Sequence, residues 1–407
     1  MVLEETHRKK KYIHEQQHFY SLDIIRGFAA LSIVFFHWKF FFYTGTLPGN
    51  LIAASQPFYS IFFPFYERGW LAVDLFFCLS GFVMYWLYSG HINNRLISAW
   101  NFSVLRFSRL YPLHFVTLLI VLIFQQYMFY RTGDFFVFPA NDIYHFVLNI
   151  FLASNWGFQK DNSFNAPIWT VSIEILVYLI FFIACRILPV RNSVLLLFVT
   201  SGWILMTFAP DFSQQRIGTG VFFFFIGGIV YLIYLEIIRK NLTKKWKHLT
   251  VVTIFAWSVA VLDSKYDFMG PMPLKFFQSL LVYNGHDYAP FFVKMIFDSF
   301  FYGFLFGITI LTLVVVETRR EHLGKRISFI GDISYSSYLL HFPLILLFMI
   351  LAGFAGMDAS FFYNKYSLLI FFIVLIVLSL MSFRFLERPA KKVLREKLLK
   401  IDKKDKI

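Results

Sequence analysis

The sequence predicts an all-α polytopic membrane protein with about ten transmembrane helices and both termini on the cytoplasmic side. Three observations predict it. The chain of 407 residues is 58% hydrophobic and only 15% charged, where a soluble domain carries about 25% charged residues. Its apolar residues come in runs near the length of a bilayer span, about 20 residues. Most of its 38 Lys and Arg fall in alternate segments between those runs, the asymmetry that sets orientation in a membrane. Phe alone numbers 56 residues, more apolar surface than one soluble core would hide.

Taken in order, the expected spans lie at 20–43, 70–89, 111–130, 168–185, 193–209, 217–238, 249–263, 291–316, 330–353 and 366–386. The basic segment 1–19 lacks the small-residue cleavage site of a secretory signal, so the first apolar run is expected to be retained as a span. The inside segments are 1–19, 90–110, 186–192, 239–248, 317–326 and 384–407. The tail 387–407 is basic and amphipathic, and it is expected to rest against anionic lipid headgroups. The outside segments 44–69, 131–167 and 264–290 are rich in aromatics, Pro, Asn and Asp, and are expected to cover an outer opening. The net charge of +14 does not point to nucleic acid, because the basic residues serve orientation. The two cysteines, Cys78 and Cys185, each lie within an apolar run, where a thiol is ordinarily a small buried apolar group. No metal-ligand spacing is present.

Ionisable residues inside spans are costly and tend to mark function. In the first span Arg26 and His37 stand eleven apart, which puts them on one face about 16 Å apart along the axis. By the same rise, Asp74 lies about 6 Å, and Glu174 and His37 about 9 Å, below the outer edge. These three are expected to converge, a carboxylate fixing the imidazole tautomer and raising its basicity. The sequence leaves open which acid does this. Arg106 and Arg109 are three apart and share a face if their stretch is helical. Arginine suits bidentate phosphate binding; positive-inside anchoring is the plainer role. Ser334, Tyr338 and His341 fall on one face of the ninth span. They form a polar stripe towards mid-membrane, or else polar glue between helices.

These residues fall in blocks that resemble acyltransferase family 3, membrane-bound O-acyltransferases of cell-surface carbohydrates. The first span carries the family's Arg-x10-His pattern as Arg26 and His37. Asp74 to Phe82 resembles its Asp-Leu-Phe-Phe-x-Leu-Ser-Gly-Phe block. Arg106-Phe107-Ser108-Arg109 matches its Arg-x-x-Arg motif. Trp169 to Glu174 matches its Trp-Ser-Leu-Ser-x-Glu block, with Thr170 in place of Ser. Ser334 to Pro343 matches its late Ser-Tyr/His-x-Pro block, and Glu387-Arg388-Pro389 its closing Glu-x-Pro. The resemblance runs from about residue 19 to 390.

The resemblance implies an acyl-CoA donor, acetyl-CoA above all, entering from the cytoplasm of a bacterial inner membrane. It implies a His essential to transfer, taken to be His37, which would act as a base on the acceptor hydroxyl or take the acyl group itself, with Asp74 or Glu174 as candidate partners by depth. The donor would be held by Arg26, Arg106 and Arg109, with Ser334, Tyr338 and His341 along its path. The acceptor would be a carbohydrate such as lipopolysaccharide O-antigen, exopolysaccharide or a small glycoside. No appended hydrolase-like domain is read, so the chain is expected either to complete the transfer or to hand over to a separate periplasmic transferase. The competing class is a proton-coupled transporter using His37 and Glu174 as a relay. It lacks the internal repeats that mark many transporters. A sensor without turnover is the third reading.

Overall fold

The computed structural model describes residues 18–159, 161–267, 282–283, 286–287, 289–320 and 323–399. The basic segment 1–17, most of the outer segment 264–290 and the tail end 400–407 lie outside the described residues. Among those described, nine helical runs are long and apolar enough to cross a membrane, and a tenth, Asn192–Phe208, is shorter. Strand is confined to two-residue pairings such as Tyr43–Thr44 with Leu47–Pro48. This is the expected all-α multi-pass architecture. The ten helical runs correspond to the ten expected spans.

The helices that build the site are α1 (Tyr20–His37), α2 (Tyr59–Arg68), α3 (Ala72–Met84), α4 (Ala99–Thr132) and α5 (Ile168–Ile187). Behind them stand α6 (Asn192–Phe208), α7 (Phe212–Arg239), α8 (Trp246–Tyr266) and α9 (Ala289–Arg320). The chain ends with α10 (Phe329–Asp332), α11 (Ser334–Phe354), α12 (Lys365–Ser382) and α13 (Arg388–Leu398). At 1.5 Å per residue, the 34 residues of α4 extend about 51 Å, well beyond a hydrocarbon core of about 30 Å. Arg106 and Arg109 therefore belong to α4 itself, not to a connection before it. The surplus turns carry them past the apolar stretch.

Two contacts hold α1 in place. Buried Glu317, near the end of α9, accepts hydrogen bonds from the backbone N–H groups of Tyr20 and Ser21, both at 2.9 Å, and from Ser21 Oγ at 2.6 Å. The first N–H groups of a helix have no partner within it, and a carboxylate there also meets the positive end of the dipole. On its flank, α1 takes α10 at backbone distance. A Cβ on Gly331 would lie 2.3 Å from the Asp23 carbonyl oxygen, and one on Gly27 2.3 Å from Ile330 Cγ2. Only glycine allows this approach, and it sets the start of α11 beside Arg26.

The helical core divides in two. One cluster joins α3, α5, α7 and α9 around Phe77, Phe181, Phe224 and Phe306. The other lies around Trp38, Phe41, Phe342 and Phe371, where α1 meets α11 and α12. Much of the Phe excess is accounted for by this packing, and much of the rest faces outward, for example Phe255 and Phe385. His37 stands where the α-helix ends and a 3-10 turn, Trp38–Phe42, begins.

Candidate active site

A cavity of about 530 Å³ opens at the end of the bundle that carries His18 and Arg395, referred to below as the basic end. This is the size of an ordinary small-molecule site. Its lining comes from α1, α3, α4, α5, α11 and α13. Arg26, Arg106 and Arg109 line it, as do Glu174, Ser334 and Tyr338. The structure thus gathers six of the nine sequence-predicted site residues into one chamber.

The cations differ in how far they are engaged. Arg26 pairs with Asp23 one turn back on α1, yet its Nε is buried without a partner. Asp23 also accepts from His18 Nε2 at 2.6 Å, and this bond lifts the His18 pKa above its ordinary value. Arg106 donates to Tyr88 Oη at 2.6 Å and sits over that ring, and its Nε is likewise unpartnered. Arg109 makes no hydrogen bond or ion pair among the described residues. Glu174 is held by Ser80 Oγ at 3.0 Å and by the Tyr178 hydroxyl. Glu387 accepts from Ser336 and Ser382.

Ser334 caps locally, Oγ donating to the Gly331 carbonyl at 2.7 Å. One turn further along α11, Tyr338 Oη meets Thr170 Oγ1 of α5 at 2.8 Å. Both residues line the inner end of the cavity. A further turn along stands His341, wholly buried, with its Nε2 2.7 Å from His37 Nδ1. His37 is half-buried and stacks on Phe40. Along α11 the order is therefore Ser334 and Tyr338, which line the cavity, then His341 with His37, which do not.

This corrects the expected convergence of His37 with Asp74 and Glu174. His37 shares a hydrogen bond with a second histidine, and neither carboxylate hydrogen-bonds it among the described residues. Glu174 faces the cavity. Asp74 is buried on α3 and lies within the electrostatic reach of Tyr302 on α9, together with Arg68 and Asp263. Equal depth does not fix azimuth: the three groups lie on three helices turned to different neighbours.

Over its described length the tail, expected against lipid headgroups, also packs on the protein. A π turn, Phe383–Glu387, leads from α12 into α13, which packs along the first turns of α4. Arg395 donates to Ser108 Oγ at 3.1 Å and to the Leu105 carbonyl at 3.2 Å, and Trp100 Nε1 donates to the Leu398 carbonyl at 2.7 Å. This turns Arg388, Lys391 and Arg395 into the cavity. Sequence reasoning missed them, although their spacing of three and four residues marks one helical face.

A family model described as an acyltransferase domain matches residues 19–383. The chain belongs to this family. The acyltransferase match covers every span but the last residues beyond α12. The chain is 23% identical to peptidoglycan O-acetyltransferase OatA of Listeria monocytogenes, over 95% of this chain and 57% of the relative. It is 25% identical to a putative acetyltransferase of Acidianus two-tailed virus, over 78% and 80% of the two chains. It is 29% identical to acyltransferase MdmB of Streptomyces mycarofaciens, over 42% and 41%. The acyltransferase chain thus spans little more than half the length of the Listeria protein. No solved structure matches it.

Proposed function

We propose that the protein is an O-acetyltransferase that takes an acyl group, acetyl above all, from acyl-CoA and passes it to a carbohydrate hydroxyl. Family membership supports acyl transfer, and two of the similar proteins are named as acetyltransferases. The observation that carries the reading is the order along α11. A cation-lined cavity is bounded there by Ser334 and Tyr338, and the next turn brings His341 to His37.

The chamber fits CoA by the chemistry of its lining. Six Lys and Arg face four carboxylates there. Arg26 and Arg106 each keep a buried Nε without a partner, and Arg109 is unpaired among the described residues. Guanidinium groups bind phosphate oxygens in pairs. In this reading the basic end faces the cytoplasm of a bacterial inner membrane, where acyl-CoA is made, and the Lys and Arg distribution supports that orientation. The pantetheine arm then runs past Tyr338 towards His37.

The chemistry at His37 follows from its partner. The Nδ1 of His341 is buried without a hydrogen-bond partner, and in this reading it carries the proton. Its Nε2 is then the acceptor, and His37 Nδ1 donates to it. That leaves the Nε2 lone pair of His37 as the base. A sugar hydroxyl gives its proton to this nitrogen as its oxygen attacks the thioester carbonyl. The C–S bond breaks, and the departing thiolate takes the proton back from the imidazolium. The acceptor we favour is a cell-surface carbohydrate such as O-antigen or exopolysaccharide, approaching from the outer side. A separate periplasmic transferase is an alternative recipient of the acyl group.

The test is genetic and chemical. Deletion of the gene should remove one acetyl increment from a surface glycan in its mass spectrum. Wild type should restore the increment and His37→Ala should not. Restoration by the His37→Ala protein would overturn the assignment.

A further inference from the structure

We propose that α13 is a second phosphate-binding element of the donor chamber, and that it reads the 3′-phosphate of CoA. The proposal rests on the donor reading above and extends it to a part of the chain that carried no assigned role.

Three observations support it. First, Arg388, Lys391 and Arg395 face the same cavity as Arg26, Arg106 and Arg109, but arrive from the opposite end of the sequence. Second, α13 is fixed in position. Arg395 is bonded to Ser108 and Leu105 of α4, while Glu387, at the helix start, is bonded to Ser336 and Ser382. Third, Arg388 and Lys391 make no ion pair among the described residues. Lys392, by contrast, lies 3.9 Å from Glu396 and does not line the cavity. An exposed helix face needing only solubility would gain from paired charges. Two unpaired cations turned inward, beside a third held in place, favour a multiply charged anion.

The charge of the ligand selects which anion. The helix runs from Glu387, bonded to Ser336, to Leu398, bonded to Trp100 at the start of α4. In CoA the adenosine 3′-phosphate lies at the far end from the thioester, beyond the pyrophosphate. A donor whose thioester reaches His37 must therefore place that phosphate at the basic end, where α13 lines the cavity. A phosphate monoester carries close to two negative charges at neutral pH, about −1.5 to −2. It can engage two cations at once, where a pyrophosphate offers one charge on each phosphorus to Arg106 and Arg109. A lipid headgroup phosphate offers related chemistry, so the experiment separates the two sources.

The full chain is reconstituted in nanodiscs of neutral phosphatidylcholine, and in others containing anionic phosphatidylglycerol. CoA and 3′-dephospho-CoA are titrated calorimetrically. In both lipids the wild type should bind CoA more tightly than dephospho-CoA by about tenfold or more, the worth of one charge-assisted contact. The double substitution Arg388→Gln, Lys391→Gln should bring that ratio close to one, mainly by weakening CoA. Lys392→Gln should leave it unchanged. A wild-type ratio near one, or a ratio that survives the double substitution, overturns the proposal and returns these cations to lipid phosphate. Binding of neither ligand by the wild type overturns the donor reading as a whole, a distinguishable failure.

Discussion

His37 Nδ1 lies 2.7 Å from His341 Nε2, with the two rings 21° from parallel. The pair joins α1 to α11, and in the proposed mechanism His341 is a positioning residue for His37. Replacing His341 by Phe keeps the bulk of the ring and removes the acceptor. His37 is then free to turn and to change tautomer. The expected result is a fall in kcat of about 10²- to 10⁴-fold, the range of a lost acid–base contribution, with donor KM little changed. His341→Gln keeps an acceptor oxygen and should recover part of the loss. Equal activity for Phe and Gln variants would deny the positioning role.

His37 itself should be indispensable to turnover and dispensable to folding. It is half-buried at a helix end. His37→Ala should reach the membrane at normal levels, bind CoA with unchanged affinity and transfer no acyl group. Binding assays on the purified variant, beside transfer assays, check both halves.

The arginine pair should act on the donor alone. Arg106→Gln with Arg109→Gln should weaken CoA binding by about tenfold or more. Catalysis at saturating donor should suffer less. Arg106 also donates to Tyr88, so some stability loss is expected beside the binding loss. Unchanged CoA affinity would return both residues to membrane anchoring.

Much of this was legible in the sequence, and the misses share one cause. The spans could be read because runs of apolar residues state their own length. Arg26, Arg106, Arg109, Glu174, Ser334 and Tyr338 could be picked out because a charge or polar stripe in lipid is costly, and the structure places them around one cavity. What periodicity along one helix cannot state is how that helix is turned against another. Hence Asp74 and Glu174 were set beside His37 by depth, while its partner His341 was assigned to the donor path. The same limit hid α13: its basic face was visible as a pattern, but a lipid surface and a protein cavity ask for the same pattern. Glu317 was counted among connecting residues because the helix N-terminus it caps is almost three hundred positions away.

Glu317 supplies the last prediction. Its carboxylate accepts two backbone N–H groups and one hydroxyl, all on Tyr20 and Ser21, and it is fully buried. Glu317→Ala would remove the acceptor of three hydrogen bonds, at about 1–3 kcal/mol for a buried group left unsatisfied. Glu317→Gln keeps the size and one acceptor oxygen, and should cost less. The effect should be local first. The start of α1 carries Asp23 and Arg26, so loosening it should weaken CoA binding in the Gln variant before the bundle itself melts. Thermal unfolding in detergent, measured with and without CoA, checks this. The Gln variant should show a modest drop in melting temperature and a clear loss of the shift that CoA produces. A Gln variant with wild-type melting and a full CoA shift would show that the cap does not position Arg26.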